Sequence, residues 1–346
     1  MLQSEKFPFK TDVAVLLIFF NRPATFRKVF DAVRNARPSR LFLYQDGARE
    51  GNEGDMRGIA ECRAIASDEN IDWQCDVRRM YRERNYGCDP SEYLSQKWAF
   101  SMADKCVVLE DDDVPSPSFI SFCKEMLDRY EHDSRVWLIS GFNAEEVTSA
   151  VPYDYFFTSV FSIWGWASWR RVVDTWDGDY SFMRDDFKRQ ALADIVRERN
   201  YRHDFMRMCA DHAAAGKPYY ESIFWAGMLM NNGLAVMPRK NMVCNVGAMA
   251  DSTHFSSLPT MPHRLREMFT MPAYNIEEPL KHPDCVMEYM PYKETYYRIQ
   301  GWNHPLIKIS RSFEELWLNI RAGHFGNIRR SFIRRVHKWL GLDRHA

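Results

Sequence analysis

A chain of 346 residues, 46% hydrophobic and 14% aromatic, can bury a full core and falls outside the disordered class. Its 46 basic and 47 acidic residues leave a formal net charge of -1, which removes any global electrostatic drive toward nucleic acid. The eight cysteines, at 62, 75, 88, 106, 123, 209, 244 and 285, form no CxxC pair and no zinc-type spacing, and are expected as reduced thiols of a cytoplasmic protein.

The polar N-terminus and the short apolar run Val13 to Phe20, far below the ~20 residues of a membrane span, predict neither a signal peptide nor a transmembrane helix. That run instead reads as the first strand. Further strands are expected at 40 to 44, 72 to 80, 105 to 109 and 135 to 140, alternating with helices. Phe26, Val29, Phe30 and Val33 recur at helical period, as do Leu94, Trp98 and Met102. Ile59, Cys62 and Ile65 mark another helix. Phe119, Phe122, Cys123, Met126 and Tyr130 mark a fourth, with Ser116 and Pro117 at its start. The alternation predicts an α/β fold with a mainly parallel sheet flanked by helices and a C-terminal extension. Residues 1 to 255 form the main domain in this reading, with a change of pattern near 150. Residues 256 to 320 wrap around it, and 321 to 346 form a basic helix.

Cys106 to Leu109 is an apolar strand core that delivers Glu110, Asp111, Asp112 and Asp113 at its C-terminal end, where open α/β sheets bind ligands. Four adjacent carboxylates repel one another. A hard divalent cation, Mg²⁺ or Mn²⁺, relieves that repulsion and can bridge a diphosphate. The alternative is a solvated acidic turn before a helix.

Several separated segments then align in order: Asn21-Arg22, Tyr44-Gln45-Asp46-Gly47, Leu109-Glu110-Asp111-Asp112, Ile139 to Asn143, Trp164-Gly165-Trp166 with Trp169, and Asp251 to His254. Together they resemble N-acetylglucosaminyltransferase I and the bacterial GT-A sugar transferases like it. The resemblance implies a GT-A-like, Rossmann-related fold and a UDP-sugar donor. It places Arg22 against the nucleotide, Asp46 on the uracil imide, Glu110 and Asp111 on ribose or on waters of the metal, and the metal on Asp112. Asp113 is an additional acid, so the ligand register lies at 112 or 113. The same resemblance puts His254 near the diphosphate or the acceptor.

Inversion at the sugar needs one carboxylate to take the acceptor's proton. In the stretch Tyr219 to Trp225 the family's aspartate falls on Glu221 or Ser222, and only Glu221 is acidic. Trp164 and Trp166 suit a sugar-stacking platform for a glycan or lipid-linked glycan acceptor, or equally the core. From Arg321 onward seven Lys or Arg residues meet one acid, Asp343, with Phe325, Ile328, Phe332, Val336, Trp339 and Leu340 at helical spacing. This predicts a helix that holds the enzyme at an anionic membrane surface, peripheral at the cytoplasmic face, or one packed on the body. The function expected is sugar transfer in surface polysaccharide synthesis. A nucleotidyltransferase and a non-catalytic glycan-binding protein on the same fold are the alternatives.

Overall fold

Val13 to Phe19 is apolar without alternation because both faces of its strand are covered, the pattern of a strand inside a parallel sheet. In the computed structural model, which describes residues 6–247, 260–329 and 333, this is β1 (Thr11–Phe19). It pairs in parallel with β2 (Pro38–Gln45) on one side and β4 (Lys105–Glu110) on the other, and β3 (Asp76–Tyr81) adds in parallel to β2. Helices α1 (Pro23–Ala36), α2 (Glu53–Ile65) and α3 (Cys88–Met102) link these strands. The carboxyl ends of β1, β2, β3 and β4 therefore share one edge.

Beyond β4 the chain makes β5 (Asp113–Pro115), α4 (Phe119–Arg129), β6 (Val136–Ser140), β7 (Tyr155–Thr158) and β8 (Trp166–Trp169). Helices α5 (Arg170–Val173), α6 (Ser181–Arg184), α7 (Asp186–Ile195), α8 (Arg199–Ala215) and α9 (Tyr220–Met230) lead to β9 (Leu234–Pro238) and β10 (Val243–Asn245). The sheet runs β3-β2-β1-β4-β8-β6-β9-β7, with β8 antiparallel between β4 and β6. Strands from both sides of residue 150 thus build a single sheet. It is the mixed, largely parallel α/β architecture that the alternation predicts.

Two boundaries differ from the sequence reading. The third strand begins at Asp76, not 72, because Trp73 is buried as a core ring whose indole N–H donates to the Pro38 carbonyl at 2.8 Å. The fourth helix starts at Phe119 with Ser118 before it, not at Ser116. Asp113 to Pro115 continues as β5, whose antiparallel partner is the distant β10, and Ser118 is turned to Asn275.

Residues 260–329 run across this body. Tyr274 N–H donates to the Asn241 carbonyl at 2.7 Å, Lys281 N–H to Asp154 at 2.7 Å, and Ala144 N–H to the Tyr292 hydroxyl at 3.1 Å. Here lie α10 (His263–Met268), α11 (Met290–Gln300) and α12 (Pro305–Arg321). Among the described residues no helix is long and apolar enough to cross a membrane.

One close approach sets the turn after β1. Gly58 of α2 lies so near the Asn21 carbonyl that a Cβ there would collide with it, while Asn21 Nδ2 donates to Asp55 of the same helix at 2.8 Å. Gly58→Ala should displace the Asn21–Arg22 turn and cost about 1–3 kcal/mol, the usual scale of overpacking, read as a lower urea midpoint with unchanged slope.

Candidate functional site

Turns following β1 and β4 meet at the shared sheet edge. The Arg22 guanidinium bonds Asp111 Oδ1 and reaches Asp112 Oδ2 at 2.9 Å, and Phe20 N–H donates to Asp111 Oδ2 at 3.2 Å. Burial works against the Arg22 charge, but Asp111 and Asp112 more than offset it, so its pKa rises. Asp111 is pushed up by burial and pulled back by Arg22.

Asp113 is wholly buried, and its two oxygens accept from Gly165 N–H at 2.9 Å and Asn245 Nδ2 at 3.0 Å. The same Asn245 amide donates to Asp112 Oδ1 at 3.2 Å. Burial first, and Asp112 second, hold Asp113 well above the usual carboxylate range. Asp112 has another neighbour: Gly247 backs onto its Oδ2, and a Cβ there would collide with that oxygen. Asp113 is thus committed to joining β5, β8 and β10. Asp112 carries the oxygen that glycine and arginine border. An all-oxygen donor set with so little positive charge around it fits a hard divalent cation.

Glu110 ends β4, half-buried, and accepts from the Tyr220 hydroxyl at 3.3 Å. Its carboxyl is raised well above its ordinary value by burial and then by Glu92. Tyr220 opens α9, and the next residue, Glu221, meets Asp89 and Glu92 from the first turns of α3. One carboxylate oxygen from each of these three lies within 4.8 Å of the other two. Two helix N-termini converge here, and their dipoles favour negative charge. Glu221 Oε2 is shielded from solvent and has no hydrogen-bond partner, unlike the carboxylate of a solvated surface glutamate. Burial, aided by Asp89, lifts Glu221 to about 6. Ser222, the other residue aligned with the family's base, is buried and bonded to the Tyr180 hydroxyl at 2.9 Å and His212 at 2.8 Å.

Asp46, at the end of β2, is turned toward the protein. Its carboxylate accepts backbone N–H groups from Gly47 at 2.9 Å, and from Tyr86 and Gly87 at 3.0 Å, ordering the turn that leads into α3. A carboxylate offers about four lone-pair sites, so these bonds leave little capacity for a uracil imide. Asp46 thereby positions the helix that carries Asp89 and Glu92.

Trp166 corrects an expectation. It is 1% exposed and packed among Phe100, Trp176, Tyr220 and Phe224, so it has no free face for an acceptor sugar. Its position on the central strand β8 puts it in the core. Trp164, two residues earlier and half-buried, packs edge-on against Phe142 and beside Phe269. His254 lies outside the described residues.

The cluster Asp89, Glu92, Tyr220 and the clamp Asn245 escaped the sequence reading. Asp89 and Glu92 had one visible signal, acids at i and i+3 in the first two turns of a helix that follows a strand. Asn245 had none, because its partners come from pairing with a strand far upstream.

No protein-family model and no curated protein matches the chain. Solved structures similar to it include UDP-glucose pyrophosphorylase complexed with UDP-glucose, at 8% identity over 47% of this chain and 78% of that one, TM-score 0.28. The inositol-1-phosphate CTP transferase from T. maritima matches at 9% identity over 76% and 97%, TM-score 0.34. The 4-diphosphocytidyl-2C-methyl-D-erythritol synthase from Anaerococcus prevotii matches at 9% over 51% and 75%, TM-score 0.26. The functional reading rests on the side chains of the site.

Replacing Asp113 with alanine strands the buried Gly165 N–H and part of the Asn245 amide, each worth about 1–3 kcal/mol. Asp113→Ala should therefore lower the melting temperature sharply, whereas Asp112→Ala, at a position bordered by Gly247, should melt closer to wild type.

Proposed function

We propose that this chain is a metal-dependent glycosyltransferase of the GT-A type, moving a sugar from a UDP-sugar to a glycan hydroxyl with inversion. The observation that carries it is the position of Glu221: an unpartnered carboxylate oxygen tied through Tyr220 and Glu110 to the Arg22–Asp111–Asp112 constellation. In this reading Glu221 is the general base and the Arg22–Asp111–Asp112 group handles the anion.

In this reading Asp112 holds Mn²⁺ or Mg²⁺, with Glu110 and Asp111 beside it. The cation, when bound, neutralises charge on the departing diphosphate. Arg22 trades part of its contact with Asp112 for a donor phosphate, the bidentate, charge-assisted contact that a guanidinium makes well. Glu221 accepts the proton of the attacking hydroxyl, and Trp164 flanks the acceptor. Asp46 sets the loop at the nucleotide's edge, so selectivity for uracil depends on it through that loop.

Binding is tested first. UDP with Mn²⁺ should raise the melting temperature more than CDP, GDP or ADP does, and Asp112→Ala should abolish the metal-dependent part of the shift. Equal shifts for all four nucleotides would remove uracil recognition. Turnover is tested by products: free UDP from a UDP-sugar plus acceptor supports transfer, while pyrophosphate from UTP plus a sugar phosphate indicates nucleotidyl transfer instead.

A base must be deprotonated to work. Because Glu221 is raised to about 6, activity should be full above that pH and fall as pH drops through it. Glu221→Gln should keep UDP binding, lower kcat by ~10²-fold or more and flatten that acid limb. A variant with wild-type turnover would exclude Glu221 as the base.

A further inference from the structure

Helix α12 sits on the body through a mixed side, where Ile307 and Leu318 are half-buried beside Arg311 and Glu314. With 3.6 residues per turn, Leu306, Ile309, Phe313, Leu316, Trp317 and Ile320 fall within an arc of about 100°. All six are exposed, Phe313 to 68% and Trp317 to 57%. The opposite side holds the helix in place. Lys308 Nζ reaches Asp204 at 2.9 Å, the Arg311 guanidinium donates to the Ile299 carbonyl, and Glu314 accepts the His263 backbone N–H at 2.8 Å. Asn319 is the buried residue of the helix. A helix packed for the sake of its own core turns its apolar stripe inward. Here the stripe faces away from the body, an arrangement that marks a surface awaiting an apolar cover.

The charge around the stripe selects the cover. The Arg321 guanidinium lies over the Trp317 ring at 5.4 Å, and Arg329 is exposed. From Arg321 to the end of the chain seven Lys or Arg residues face one acid. The stripe therefore ends in a basic stretch, as interfacial helices on anionic lipid do. Exposed Phe313, Trp317 and Phe325 suit the headgroup level of a bilayer. A second copy of the helix is less well matched, because Ser310 and Ser312, which flank the stripe, carry no charges to set the pairing.

We propose that α12 is an interfacial anchor that lays its Leu306 to Ile320 stripe into an anionic lipid bilayer, with Arg321 and Arg329 meeting lipid phosphates. The anchor thus begins upstream of the basic tail. It stands apart from the donor reading, since none of its residues touches the acidic site.

The test is sedimentation of the full chain with vesicles of phosphatidylcholine, alone or mixed with phosphatidylglycerol. The protein should pellet with the mixed vesicles, weakly with phosphatidylcholine alone, and less at high salt. The double variant Phe313→Ser, Trp317→Ser should lose binding ~tenfold or more, the scale of withholding two rings from an apolar phase. Phe187→Ser, which removes a still more exposed ring from α7, should bind like wild type. Equal melting temperatures certify the fold; if the double variant melts early, Leu306→Ser with Ile309→Ser carries the same test. Unchanged vesicle binding by these variants overturns the proposal, as does failure of the wild type to bind. Two other results also overturn it. One is binding that appears only after removal of residues 330–346, meaning the tail covers the stripe; the other is a dimer that the double variant dissociates in place of any vesicle binding.

Discussion

Negative charge gathered at one sheet edge is the constraint on which the site depends. Glu110, Asp111, Asp112 and Asp113 arrive together at the end of a buried strand, and α3 and α9 add Asp89, Glu92 and Glu221. Among the described ion pairs, Arg22 is the cation that reaches this group. What remains is balanced by dipoles: the amide of Asn245, the Gly165 N–H, the Tyr220 hydroxyl and the first turns of two helices. Such a cluster is costly to bury, since each ionised carboxylate loses hydration. That cost accounts for the raised carboxyls of Glu92, Glu110 and Asp113. It also makes the edge a place where a cation or a polarised ligand is favoured.

The two halves of the acidic group are held apart and in register by an aromatic layer. Trp166 and Trp176 pack against the ring of Tyr220, backed in turn by Phe100 and Phe224, and the Tyr220 hydroxyl touches Glu110 while its backbone neighbour is Glu221. Large rings have few rotamers and bury much area, so they fix this geometry at low conformational cost. The tryptophans nearest the acids thereby support the constellation. Trp164 packs separately, against Phe142 and Phe269, and is half-buried.

Helix α12 follows a different logic from the rest of the chain. Elsewhere apolar faces turn inward, as the buried faces of α1 and α4 show. In α12 the Lys308–Asp204 ion pair and bonds to backbone groups hold the inner side while rings point out. The helix is far from the acidic edge in sequence, and none of its described side-chain bonds reaches the acidic group.

Much of the α/β half was legible from residues alone. Apolar runs at 13 to 20, 40 to 44 and 105 to 109, and helices at period 3.6 between them, are local signals that burial on both faces makes strong. The acidic run after Leu109 was equally legible, because a strand's end and its next residues are neighbours in sequence. Pairings between distant segments were not. The Asn245 clamp, the meeting of Asp89, Glu92 and Glu221, and the engagement of Asp46 by the Tyr86 and Gly87 amides all join elements that only tertiary packing brings together. Burial of Trp166 was decided the same way, by β8 entering between β4 and β6. Periodicity reports which face of an element is apolar, and the sequence by itself determined that much. Which partner covers that face, and which carboxylate is left without one, is set by long-range contacts that no local pattern encodes.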